Sequence, residues 1–342
     1  MKKIERPQID SKLIDDMARG HQIAQVLFTA MKYSLFDRLK EERSAGEVAR
    51  EIEANPDITE KLLNSLVCLG LVCKKNGGYL NADLARTYLI KDSCFFQGNL
   101  INLVGQGYPL WGNLEQALKG NGSLKPPNRD KGGVFDKSFT YSMAEGAKRG
   151  PLHRTIDAIC GLAEFKEART LLDLGGGHGL YAIAFSQKNP GMESTVFDIP
   201  PVAGVSEEFI EQHGMQNRVR VVAGDYLKDE LPGKYDIVFV SDVFYQSRDL
   251  LRMPLQKIYR ALNPDGLLIM KHWVMNETRT GGQTVVFWDL WLSLLGFPHY
   301  VYTRDEYAGL LKDFGFADVR MVDIASSPDP SAIVIGKKKA EE

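Results

Sequence analysis

From about Ile14 to Leu89, apolar residues recur every three or four positions, the period of helices with one buried face. Ile23, Val26, Leu27, Ala30 and Met31 make one stripe, and Leu35, Phe36 and Leu39 continue it. Ser44-Ala45-Gly46-Glu47 predicts a helix start that carries Val48, Ala49 and Ile52 inward, and Thr59 to Leu63 opens another helix ending near Gly70. Lys74 to Leu80 predicts a hairpin around Asn76-Gly77. Three helices followed by a hairpin is the winged-helix arrangement.

The pattern changes in the second half. Short apolar runs at Leu171–Leu174, Thr195–Asp198, 218–222, 235–240 and 267–271 alternate with helical segments near 206–212, 250–262 and 303–314. Strands alternating with helices predict a parallel sheet covered on both faces. Two last runs, 318–322 and 332–336, are joined by a linker without a helix, which predicts an antiparallel hairpin at the sheet edge. Between the halves, 97–163 reads as a helical connector rich in aromatics (Phe95 and Phe96 just before it, then Tyr108, Trp111, Phe135, Phe139, Tyr141), interrupted by the polar stretch 120–128. The expected division is a winged-helix domain at 1–95, a connector lining the active site at 96–163 and an α/β domain at 164–342.

Chemistry enters at Gly175-Gly176-Gly177-His178-Gly179, between the first strand and a helix beginning near Tyr181. Glycines there let the backbone turn sharply and approach a ligand. Asp198, about twenty residues beyond, ends the next strand, where an acid can accept from a ribose diol. The pattern is Asp-x-Gly-x-Gly-x-Gly from Asp173, and the third dinucleotide glycine would fall at Leu180. A cofactor with a ribose but no pyrophosphate fits better, and S-adenosylmethionine (SAM) is the candidate.

Composition narrows the classes. A chain of 342 residues exceeds the usual single core, and a net charge of −2 gives no reason to expect a polyanionic partner. The helix before the wing, 60–69, offers one lysine, one asparagine and no arginine fork for guanine, so an apolar dimer interface is the better expectation than DNA. Neither a secretory leader nor an apolar run long enough to span a bilayer stands out, and Cys68, Cys73, Cys94 and Cys160 lack disulfide or metal spacing. The expectation is a cytoplasmic protein with reduced, mostly buried thiols and no metal.

From about Ile14 to Lys338 the chain resembles the dimeric, two-domain small-molecule O-methyltransferases of plants and bacteria, which pair a mainly α winged-helix domain with an α/β, Rossmann-like class I methyltransferase domain. The resemblance rests on the order of the winged helix, the connector, 173–179, Phe197-Asp198-Ile199-Pro200, Gly224-Asp225-Tyr226-Leu227, Tyr302 to Tyr307 and Gly315-Phe316. It implies a homodimer without metal or nucleic acid. Asp173, Gly175 and Gly177 would form the turn under the aminoacyl part of SAM, Asp198 would take the ribose, and Asp225 and Tyr226 would border the adenine. Lys271, or Met270 before it, would lie near that ring, and Met143 would pack near the sulfonium.

The departure is at the base. The family places a histidine just after the fourth strand, whereas this chain has Tyr245 in Ser241-Asp242-Val243-Phe244-Tyr245. A phenol ordinarily titrates near 10, so a base assists its methylation at neutral pH. Three readings compete: oxygen methylation with a base elsewhere (His272, then His299) or with an acceptor acidic enough to need none; methylation of a ring carbon, since a relative acting on a bacteriochlorophyll precursor has tyrosine here; and a weakly catalytic binding protein that kept the SAM site. His178 is expected to shape the glycine turn, and His21, His153 and His213 to lie on surfaces. The segment 284–302, with Trp288, Asp289, Trp291 and Leu292, reads as the wall for a flat, largely apolar acceptor, with Tyr108 and Trp111 closing the other side. A phenol, a hydroxybenzimidazole and a tetrapyrrole all fit. A DNA-binding regulator and an NAD-dependent oxidoreductase remain as alternatives from other classes.

Overall fold

The computed structural model describes residues 4–120, 122–124, 135–326 and 329–339, and divides into two compact units, Met1–Gln106 and Gly107–Glu342. Most of the polar stretch expected at 120–128 lies outside the described residues.

In the first unit, helices Lys12–Lys32, Leu35–Arg38, Ala45–Glu51, Pro56–Cys68, Asp83–Tyr88 and Gly98–Gln106 surround a small sheet of β1 (Arg43–Ser44), β2 (Val72–Lys75) and β3 (Gly78–Asn81), ordered β1-β3-β2. Its core joins Ala30, Leu35, Phe36, Leu63, Leu66 and Tyr79. Ala45–Glu51 begins with a reciprocal capping box between Ser44 and Glu47. The next helix starts earlier than the expected Thr59. Asn55 Oδ1 accepts from Ile58 N at 3.0 Å and Pro56 takes the first helical position, where a missing N–H costs nothing. Asn76 and Gly77 both have positive φ (50° and 88°), the type I′ turn of a two-residue hairpin.

The second unit is built on seven strands: β4 (Thr170–Leu174), β5 (Glu193–Asp198), β6 (Val219–Ala223), β7 (Tyr235–Ser241), β8 (Leu262–Trp273), β9 (Ala317–Asp323) and β10 (Ser331–Lys337), ordered β6-β5-β4-β7-β8-β10-β9. The first five run parallel, and β10 lies antiparallel between β8 and β9. Successive side chains point to opposite faces. Leu171, Ile237, Phe239 and Ile269 therefore enter one core, and Leu172, Leu174, Val238, Val240 and Met270 the other.

The connector is shared between the units. Ile101, on Gly98–Gln106, packs against the first core, while Tyr108–Gly112, Leu114–Lys119, Lys137–Lys148 and Pro151–Cys160 fall in the second unit. Expected burial of the cysteines is corrected: Cys68, Cys73 and Cys94 are exposed, because each sits on an outward position of its helix, strand or loop. Only Cys160 is partly covered, and burial pushes its thiol up to about 11.

Candidate active site

The carboxyl ends of β4, β5, β7 and β8 lie side by side at one edge of the sheet, where ligands of open α/β sheets bind. After β4, Gly175, Gly177 and Gly179 all take positive φ (67°, 57° and 71°), and Gly179 leads into helix Leu180–Lys188. Two glycines are needed for packing. A Cβ on Gly175 would lie 2.6 Å from Val243, and one on Gly176 would lie 2.7 Å from the Asp173 carboxyl carbon. At Gly177 a Cβ would meet nothing nearer than 4.0 Å, so the turn is open there.

Asp198 closes this turn from the next strand. Its Oδ2 accepts from Gly177 N at 2.8 Å and its Oδ1 from Ile199 N at 2.7 Å. Burial raises its pKa above the ordinary carboxylate value, against the pull of those two bonds. Asp198 O also accepts from Gly224 N at 2.8 Å, which brings the loop carrying Asp225 and Tyr226 alongside. Asp225 pairs with Lys228 at 2.7 Å, and Gln246 Nε2 donates to Tyr226 Oη at 3.1 Å. The open turn, the strand-end acid and this loop fit a nucleoside cofactor with an aminoacyl tail: Gly177 would lie under the tail, Asp198 would take the ribose and Tyr226 would flank the base.

Asp173 is a correction. It is completely buried beneath the turn, where burial pushes its carboxyl up to about 7, so it supports the turn and does not face a ligand. His178 shapes the turn as expected, accepting at Nδ1 from Leu180 N at 3.1 Å, and burial lowers its ring pKa to about 3. Met143 is more than a third exposed on Lys137–Lys148, a helix tied to Pro200–Gln212 by the Lys137–Glu208 pair at 2.5 Å.

At the ends of β7 and β8 the structure assembles a network that the sequence reading did not place. Ser241 and Lys271 are partners in the ladder. Asp242, just beyond, takes a left-handed φ of 55°, rare for a non-glycine residue. Its carboxylate accepts from Tyr245 Oη at 2.7 Å, from Trp273 N at 3.0 Å and from the Lys271 ammonium. Burial alone would push Lys271 down, but the adjacent Asp242 outweighs it and the pKa is raised. Lys271 is therefore an internal partner, 3% exposed, and not the adenine neighbour expected of it.

Tyr245 is buried, donates its hydroxyl proton to Asp242 and accepts from Trp273 N at 3.0 Å. Burial, then the Asp242 charge, hold its pKa well above the ordinary value. His272 is likewise corrected. Its Nε2 accepts from Val243 N (3.3 Å) and Phe244 N (3.0 Å), its ring is 1% exposed, and burial lowers its pKa to about 3. It pins the loop after β7 and cannot serve the cleft as a base. His299 has Nδ1 2.7 Å from Phe297 O and Nε2 3.0 Å from Asp289 Oδ1.

Helix Gln283–Leu294 carries the aromatic wall. The Trp288 ring meets Tyr245 edge-on at 4.5 Å and Trp273 at 5.5 Å, and Phe287 lies 6.2 Å from Trp111. Trp291 and Leu292 are half-buried on the same helix, and Tyr108 is exposed on Tyr108–Gly112. Among the described residues no group of three or more His, Cys, Asp or Glu is placed to hold a metal, and no helix is long and apolar enough to cross a membrane.

Together these features define an α/β methyltransferase joined to a helical N-terminal domain. Residues 136–317 match the O-methyltransferase domain and 16–91 the O-methyltransferase dimerisation domain. The chain is 34% identical to an uncharacterised protein of Methanocaldococcus jannaschii, over 93% of this chain and 87% of that one. It is 27% identical to 3-hydroxy-5-methyl-1-naphthoate 3-O-methyltransferase of Streptomyces sahachiroi, over 95% of each. Human N-acetylserotonin methyltransferase, solved with SAM, superposes with a TM-score of 0.83 at 24% identity, over 98% of this chain and 100% of that one. The chain belongs to the O-methyltransferase family, whose members are SAM-dependent enzymes.

Proposed function

We propose that this protein transfers the methyl group of SAM to a hydroxyl oxygen of a small, flat aromatic or heteroaromatic acceptor, and that it works as a homodimer. The observation that carries the reading is the closure of the open glycine turn by Asp198, with Gly177 N bonded to its carboxylate at 2.8 Å. When bound, SAM supplies a methyl carbon already activated by its sulfonium. The chain's part is to orient the acceptor and exclude water. Trp273, Trp288 and the buried Tyr245 support this by forming a rigid aromatic corner. The aromatic acceptor accords with the naphthoate named for the Streptomyces relative.

Asp198→Ala should weaken SAM binding by about 1.5–3 kcal/mol, the scale of hydrogen bonds to a charged group. Calorimetric titration tests this, and unchanged affinity would refute the ribose assignment. Mass-spectrometric location of the methyl over a panel of phenols, hydroxybenzimidazoles and porphyrins tests the chemistry. Methylation of a ring carbon is the second reading, favoured by Tyr245, whose phenol is held protonated. Tyr245→Phe should lower turnover far more than SAM affinity, and undiminished turnover would make Tyr245 a packing residue.

A further inference from the structure

We propose that the acceptor hydroxyl is one that ionises by itself near neutral pH (a hydroxyquinone, an enolised 1,3-dicarbonyl or an electron-poor hydroxyheteroarene) and that this enzyme removes no proton from it. The proposal deepens the oxygen-methylation reading and rests on it.

Tyr245 Oη donates to Asp242 and accepts from Trp273 N. The Asp242 carboxylate is met by Tyr245, the Lys271 ammonium, Ser241 Oγ at 3.3 Å and the one Trp273 N–H that it shares with Tyr245 Oη, and a carboxylate offers about four lone-pair directions. His272 accepts two backbone N–H groups at Nε2, so the proton sits on Nδ1, which is buried and has no hydrogen-bond partner among the described residues. Both nitrogens of His299 are already engaged, Nδ1 with the Phe297 carbonyl and Nε2 with the Asp289 carboxylate.

Among the described residues, the other titratable groups packed around this network do not change the outcome. Asp329 accepts from Trp273 Nε1 at 2.9 Å and from Ser331 Oγ, and pairs with Arg154. Tyr307, whose ring lies 4.8 Å from His272, donates to Phe244 O at 2.7 Å, and burial raises its pKa as it does that of Tyr181. Asp289 gives one oxygen to His299. A carboxylate of ordinary pKa takes a proton from an ordinary phenol only about six pKa units uphill, roughly 8 kcal/mol. An acceptor that has already released its proton to solvent needs no such step. Its oxygen–carbon bond forms as the sulfur–carbon bond of the donor breaks, the anionic oxygen and the cationic sulfur both become neutral, and no proton moves.

Two measurements test this. In the first, 2-hydroxy-1,4-naphthoquinone and 1-naphthol, rings of one size, are offered with SAM and the methylated atom is located. The quinone oxygen should be methylated at least about 100-fold faster near pH 7, with naphthol gaining only as pH approaches its own ionisation. Comparable rates at neutral pH overturn the proposal. In the second, nitrogen-15 histidine NMR of the full-length protein loaded with S-adenosylhomocysteine should show His272 neutral with its proton on Nδ1 from about pH 6 to about 8. A His272 with a bare Nδ1 overturns it whichever acceptor is used, so the spectra decide if neither ring turns over. A methyl on a ring carbon instead overturns the oxygen reading beneath it, and the methylated atom tells the two failures apart.

Discussion

Asp242 holds a φ of 55° while its side chain joins Tyr245, Trp273 and Lys271. Strain of that kind persists only where its surroundings over-determine it. Asp242→Asn would leave a buried ammonium without its charge partner and should cost about 2–4 kcal/mol, somewhat under the full penalty because a third of the Asp242 side chain is open. Adding Lys271→Met should restore most of that loss in thermal or urea unfolding, and no recovery would mean that charge pairing is not the source. The buried histidines set a pH dependence. His178 and His272 have folded pKa values near 3, below about 6.5 for an unfolded histidine, so their contribution is complete above about 6.5 and is lost as pH falls. Asp173, raised to about 7, works the other way, stabilising below about 4 and losing that as pH rises. Asp198, also raised by burial, opposes the histidines as Asp173 does. Stability should therefore fall as pH drops from about 6 to about 5, less steeply than the two histidines alone would give. A flat urea-unfolding profile over that range would refute the assignment. The glycine turn and Asp198 were legible in the sequence because their spacing is local. The Asp242–Lys271 pair was not, because strand register, and not sequence distance, brings β7 and β8 together at Ser241 and Lys271.

Elements were most legible where a turn or cap has one chemical solution. Asn76-Gly77 fixes the wing because both residues need positive φ, and Gly77 at 88° suffers no Cβ penalty. Gly77→Ala has open space for its methyl but not the backbone conformation, so it should destabilise the first unit by about 1 kcal/mol in equilibrium unfolding. No change would mean that the turn relaxes into another type. The start of Pro56–Cys68 was misplaced because Thr59 reads as a cap by residue type. Its hydroxyl instead donates to Asn55 O at 2.9 Å, inside the helix that Asn55 and Pro56 begin. Strand identity in the second unit followed from apolar runs between helical periods. The position of β10 between β8 and β9 needed the tertiary ladder, since a hairpin pattern does not say which of its strands faces the sheet.

Helix Lys12–Lys32 leaves Leu13, Ile14 and Met17 65%, 70% and 70% exposed, and Ile23 more than half exposed, although Ala30 and the last turns enter the first core. Leu13, Ile14 and Met17 share one helical face, since residues three and four apart are neighbours. A soluble chain seldom presents such a row of large apolar side chains without a partner, and residues 16–91 match a dimerisation domain. The occupant that fits is a second copy of the same chain, which would meet the face with an identical one about a two-fold axis. Covering Leu13, Ile14 and Met17 on both copies would withdraw side chains worth about 1.5–3 kcal/mol each from water, before the cost of association. Leu13→Glu with Met17→Glu places two charges on that face without touching the buried core. This variant should shift the protein from dimer towards monomer at micromolar concentration, read by light scattering, while circular dichroism stays unchanged. A variant that remains fully dimeric would place the interface elsewhere on the first unit. A shift to monomer that also abolishes SAM binding would mean that the cofactor site in the second unit depends on assembly.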